Sequence, residues 1–110
     1  MSVGTGKYAN PRDGDVIEMD VELTQNTVAV TRIDLRCCEA GRRAASEIAM
    51  WAHGKTPEDA ARIEPRELIE KLSLGQDEER CALTAIAALR AALVDAHVRE
   101  LAEDKVEGRS

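Results

Sequence analysis

With 110 residues, of which 44% are hydrophobic and 33% charged, the chain has the balance of one globular domain, 1–110, and is too apolar for intrinsic disorder. A net charge of -6 and a pI near 4.9 set a field that repels a phosphate backbone, and Arg42-Arg43 is too small a basic patch to oppose it, which argues against nucleic acid as a partner. Because no apolar run approaches the roughly 18 residues of a membrane span and no signal core opens the chain, a cytoplasmic protein with no membrane partner is expected.

Tyr8 and Trp51 are the only aromatic residues, so the core must be aliphatic and alanine-rich, with helices approaching closely. Three cysteines, Cys37, Cys38 and Cys81, are an odd number and two are neighbours. A structural disulfide framework is therefore not expected, and the useful question is whether the thiols meet a metal.

Residues 1–13 are rich in Gly, Asn, Pro and Asp and read as an irregular lead-in. Gly4-Thr5-Gly6-Lys7 lacks the full spacing of a phosphate loop, and Tyr8 stands where that loop needs the hydroxyl of Ser or Thr. From Val16 to Thr24 the pattern alternates, with Ile17, Met19, Val21 and Leu23 on one side and Glu18, Asp20 and Glu22 on the other, which is a half-buried strand. Gln25-Asn26 supplies a turn and Thr27 to Arg36 a second strand, giving an antiparallel hairpin. The apolar phase slips between Val28/Val30 and Ile33/Leu35, which predicts a bulge or a strand break near Thr31-Arg32.

A helix is expected from Cys38 or Glu39 onward, with Ala44, Ala45, Ile48, Trp51 and Ala52 at helical spacing, Arg42 and Arg43 on its solvated face, and Gly54 as its stop. Thr56-Pro57-Glu58-Asp59 carries the cap, proline and acids of a second helix start, running to about Ile63. Pro65 opens a short helical turn with Leu68, Ile69 and Leu72 inward and Gly75 closing it. Asp77-Glu78-Glu79 then head the longest helix, to about Asp104, whose stripe is Leu83, Ile86, Leu89 and Leu93, before a charged tail over 105–110.

Three chemically useful places thus fall at element boundaries: Asp13-Gly14-Asp15 entering the first strand of the hairpin, Cys38 entering a helix, and Cys81 in the first turn of the long helix. Thiolates with a carboxylate could hold Zn(II) or Fe(II) if the fold joins those ends, and a thiolate at a helix N-terminus is favoured by the dipole. Equally, Cys38 and Cys81 read as small buried hydrophobes, and Asp13 and Asp15 as turn residues beside Gly14.

Taken in order, these motifs resemble the iron-sulfur cluster assembly scaffold family, IscU and the N-terminal domain of NifU. Val3-Gly4-Thr5-Gly6 and Gly14-Asp15-Val16 resemble the family's glycine segment and its Ala-Cys-Gly-Asp-Val motif. Cys38 precedes Met50-Trp51-Ala52-His53-Gly54-Lys55-Thr56 as the family's second cysteine precedes its Glu-Trp-x-x-Gly-Lys-Thr segment, and Cys81-Ala82-Leu83 resembles the third motif, His-Cys-Ser/Ala-x-Leu. The resemblance implies an α+β fold, a small antiparallel sheet of two or three strands with helices on one face. It also implies a scaffold or carrier, not an enzyme in its own right, that binds iron or a [2Fe-2S] cluster, or zinc. Cys38, Cys81, Asp13 and Asp15 would be the ligands, Cys81 the sulfur acceptor, and a cysteine desulfurase and recipient apo-proteins the partners.

Four departures stand out. Asp13 replaces the family's first cysteine, and Arg80 replaces its histidine with a permanent cation that would favour the Cys81 thiolate. Cys37 is extra and could substitute for the lost thiol. Leu74-Gly75-Gln76-Asp77-Glu78-Glu79 replaces the basic chaperone-recognition stretch with opposite charge, which argues against chaperone docking by that route. The alternative function is a degenerate homologue without cluster chemistry, acting as an interaction or regulatory module and forming a homodimer.

Overall fold

The computed structural model describes residues 2–12 and 14–107, with side chains described through residue 102. Alternation over residues 16–24 becomes a strand, β2 (Asp15–Thr24), whose Ile17, Met19, Val21 and Leu23 are buried while the residues between them are half-exposed. Its partner β3 (Thr27–Arg36) follows a two-residue turn in which Gln25 and Asn26 both have positive φ, 51° and 63°, the geometry that matches the twist of a tight hairpin.

The phase slip is resolved by a bulge. Asp20 pairs with Arg32 and Val21 with Val30, leaving Thr31 as the extra residue. On either side of it Leu23 faces Val28, Met19 faces Ile33 and Ile17 faces Leu35, so both halves of β3 keep their apolar side chains on the inner face and the strand stays whole.

Residues 2–10 correct the expectation of an irregular lead-in. They form an edge strand, β1 (Ser2–Asn10), antiparallel to β2, and the sheet order is β1-β2-β3. The strand was hidden because its inward positions are Ser2, Gly4 and Gly6, which carry no apolar signal. Those glycines have a packing role: a Cβ at Gly4 would collide with Ala92 O and Ala96 N, and one at Gly6 with Ala88 O and Ala92 N. The long helix α4 (Glu79–Glu107) therefore lies with its backbone almost on β1, which only glycine permits. At the free edge, Asp95 Oδ2 accepts the Thr5 N–H at 2.8 Å, so an outward backbone donor of β1 is satisfied from α4.

Between sheet and α4 the chain forms α1 (Glu39–Ala52), α2 (Pro57–Ala61) and α3 (Pro65–Leu72), then a single 3₁₀ turn over Gln76–Glu78. Gly54, φ +82°, ends α1, and Thr56 Oγ1 accepts the Asp59 N–H to cap α2. The stop of α3 differs from expectation: Ser73 takes the left-handed conformation, φ 52°, and Gly75 instead precedes the 3₁₀ turn with ordinary φ. Arg43 stays on the exposed face of α1, as expected, and from there donates to Leu72 O at 2.9 Å, tying α1 to the end of α3. Arg90 likewise donates to Ala61 O and Ile63 O, pinning the loop after α2 onto α4.

Three readings of α4 need correcting. Leu83 is half exposed and does not belong to the buried stripe, which is Cys81, Ala82, Ala85, Ile86, Ala88, Leu89, Ala92, Leu93 and Ala96. The helix also contains, within Gln76–Ala102, an 18-residue window long and apolar enough to cross a membrane, contrary to the expectation of none; just over half of it, 56%, is buried against the rest of the fold, as in a core helix. Its helical span reaches Glu107, beyond the predicted end near Asp104. The outcome is an α+β fold with a three-stranded antiparallel sheet and helices on one face.

Candidate metal centre

Asp15, Cys38 and Cys81 come from three different elements and meet at one end of the sheet. Asp15 opens β2, held there by a turn in which Gly14, φ +71°, donates its N–H to Asn10 O at 2.9 Å. Cys38 is the N-cap of α1; its backbone is extended (φ -72°, ψ 173°) and its carbonyl accepts the first helical bond from Arg42 N, while its thiol makes no cap bond and remains exposed. Cys81 lies in the first turn of α4 and is 4% exposed.

The two sulfurs are 3.1 Å apart, Cys81 Sγ is 3.9 Å from Asp15 Oδ2, and all three ligating atoms lie within 4.8 Å of one another. Tetrahedral Zn(II) with Zn–S near 2.3 Å separates two sulfurs by about 3.8 Å, so the pair must part by only about 0.7 Å to admit the ion. Two soft thiolates and one carboxylate suit Zn(II) or Fe(II), and the exposed side at Cys38 leaves an approach for a fourth ligand.

Of the other residues singled out, Asp13 lies outside the described residues. Cys37 is half-buried and is not one of the three side chains whose ligating atoms converge. Burial, with smaller contributions from the Asp15 carboxylate and Cys38 that outweigh Arg42, pushes the Cys37 thiol above its usual pKa and keeps it protonated at neutral pH. Arg80 is half-buried, one residue before Cys81, and its carbonyl accepts the Thr84 hydroxyl at 2.8 Å.

Gly41 was missed by the sequence reading. It is buried in α1 beside Cys37 and near Cys81. A glycine inside a helix costs about 1 kcal/mol relative to alanine, so its place in an alanine-rich helix was the available signal.

The sequence matches the family described as NifU-like N terminal domain over residues 1–103, and the chain belongs to that family. Among named relatives it is 32% identical over 96 residues to iron sulfur cluster assembly protein 1, mitochondrial, of Kluyveromyces lactis, covering 86% of this chain and 53% of that protein. It is 30% identical over 95 residues to the iron-sulfur cluster assembly scaffold protein IscU of Rickettsia prowazekii, covering 86% and 72%. The chain thus spans about half the length of the first relative and nearly three-quarters of the second. In fold it is similar, with TM-score 0.63 and 15% identity over 84% of this chain and 79% of the other, to the crystal structure of a protein described as an iron-sulfur cluster assembly scaffold protein for the SUF system, from Fervidobacterium islandicum.

Proposed function

We propose that this chain is a divergent iron-sulfur cluster assembly scaffold or carrier that takes iron or zinc, and a [2Fe-2S] cluster as cargo, at Asp15, Cys38 and Cys81. The observation that carries this reading is the convergence of two sulfurs and a carboxylate from β2, α1 and α4. The names of the relatives, iron-sulfur cluster assembly proteins, support it. A [2Fe-2S] cluster takes four protein ligands and the described set has three; Asp13, in the family's first-cysteine position, is the fourth candidate from sequence.

Sulfur would come from a cysteine desulfurase and leave in clusters bound for recipient apo-proteins. The family resemblance puts sulfur acceptance on Cys81; that thiol is buried beside exposed Cys38, so a donor arriving from solvent meets Cys38 first. Cysteines that form no disulfide suit a reducing compartment such as the cytoplasm.

A second reading, a degenerate homologue serving as an interaction module, is favoured by Asp13 and Arg80 in the places of a family cysteine and histidine. Anaerobic reconstitution with iron, a desulfurase and cysteine separates the two. Sulfide-to-iron charge-transfer bands that vanish in Cys38→Ala and Cys81→Ala support the scaffold. One zinc with no sulfide leaves a metal-binding relative, and neither leaves the interaction module.

A further inference from the structure

We infer that Gly41 is a positioning residue for the metal centre, acting through Cys37, whose side chain packs into the space the missing Cβ leaves; this rests on the metal-binding reading above. The chain passes from β3 into α1 within two residues, Cys37 and Cys38, so the aim of the Cys38 thiol depends on how Cys37 is seated. A Cβ on Gly41 would lie 2.7 Å from Cys37 Sγ, 3.0 Å from Cys37 Cβ and 3.9 Å from Cys81 Cβ. The open position at Gly41 is therefore taken up by Cys37, with Cys81 close by.

Rotation about the Cys37 side chain relieves the first contact but leaves the second, because Cβ moves only with the backbone, and that backbone continues directly into Cys38. Metal sites tolerate ligand distances only within about 0.2 Å, so a shift of a few tenths of an ångström at Cys37 is enough to spoil the pairing of Cys38 with Cys81. The rest of the buried face of α1 is filled by Ala40, Ala44, Ala45, Ile48 and Ala52, so a glycine at 41 serves the contact and not the helix. On this account Cys37 packs and does not ligate.

Zinc affinity, measured by chelator competition on the reduced full chain, tests the pair. Gly41→Ala is expected to weaken binding about tenfold or more, the scale of losing a group that orients a ligand, while Cys37→Gly and the double variant Cys37→Gly/Gly41→Ala stay within about threefold of the parent. Parental affinity in Gly41→Ala, a loss in Cys37→Gly equal to that in Gly41→Ala, or no recovery in the double variant each overturns the inference. Should Gly41→Ala not fold, Cys37→Val crowds the same space from the other side and carries the same expectation.

A second measurement needs no metal. Diamide takes up the two protons and two electrons released when the thiols of Cys38 and Cys81 join in one S–S bond, and peptide mapping follows that bond. Fast formation in the parent and the double variant with slow formation in Gly41→Ala supports the positioning role even if the parent binds no zinc, in which case only the metal reading fails. Equal rates in all of them overturn the positioning role.

Discussion

The sulfurs of Cys38 and Cys81 lie 3.1 Å apart although 43 positions separate the two residues in the chain. Cys38 is the N-cap residue of α1 and Cys81 sits in the first turn of α4, so the contact exists only because both helices bring their N-terminal ends to the start of β2. Loss of either sulfur should have the same effect on metal binding and different effects on folding. Cys38→Ala, at an exposed position, is expected to cut zinc affinity more than the 10–100-fold typical of outer supporting groups and to leave thermal stability unchanged. Cys81→Ala is expected to match it in affinity while also costing about 1 kcal/mol, since that sulfur is buried. Calorimetric melting alongside chelator competition checks both, and equal melting losses would contradict the assignment of burial.

The two glycines facing α4 predict a large and specific stability effect. Gly6→Ala places a methyl group against Ala88 O and Ala92 N, where the helix backbone cannot yield locally, and should destabilise the fold by about 3 kcal/mol or more. Gly14→Ala meets open space and costs only the left-handed strain of φ +71°, about 1–2 kcal/mol. Urea unfolding followed by Trp51 fluorescence should rank Gly6→Ala well below Gly14→Ala; the reverse order would remove the close approach of α4 to β1.

On the outer face of the sheet, Asp20 gives a pH dependence with a definite sign. Hydrogen bonds from Arg32 Nε and Thr5 Oγ1, each 2.8 Å, hold its pKa below the usual carboxylate value, with Arg32 the larger cause. A carboxylate depressed in the folded state stabilises at pH above its unfolded value and loses that contribution as pH falls through its folded value. Arg32 is half exposed, so the contribution is only about 0.5 kcal/mol. Asp20→Asn should therefore be less stable than the parent by that small amount near neutrality, and the two should converge as the pH falls through the lowered folded-state pKa of Asp20. A difference that persists undiminished in acid would locate the effect elsewhere.

Thiol chemistry should distinguish the three cysteines without any metal. Cys38 is exposed, Cys81 buried, and Cys37 half-buried with its thiol held protonated by burial. Alkylation by iodoacetamide near neutral pH, resolved by peptide mass, should label Cys38 first and Cys37 much more slowly. Preferential labelling of Cys37 would contradict its seating against Gly41.

Much of the fold was written locally. The two-residue alternation of Ile17, Met19, Val21 and Leu23, the turn at Gln25-Asn26, the slip that places a bulge at Thr31, and the caps at Gly54 and Thr56 are all settled by neighbouring residues, and each element formed where its pattern stood. β1 was unreadable because its inner face is built from glycines, whose contribution is the space they leave for a helix more than eighty positions further on. Leu83 misled for a related reason, since helical periodicity marks apolar positions and cannot say which of two apolar faces the sheet will cover. Motif order by itself pointed to the family and, beside Asp13, to Cys38, Cys81 and Asp15. Only the packed structure decided that these three share one point in space while Cys37 turns into a cleft at Gly41, because the aim of a side chain at the end of an element is set by how distant elements dock, and no local pattern carries that information.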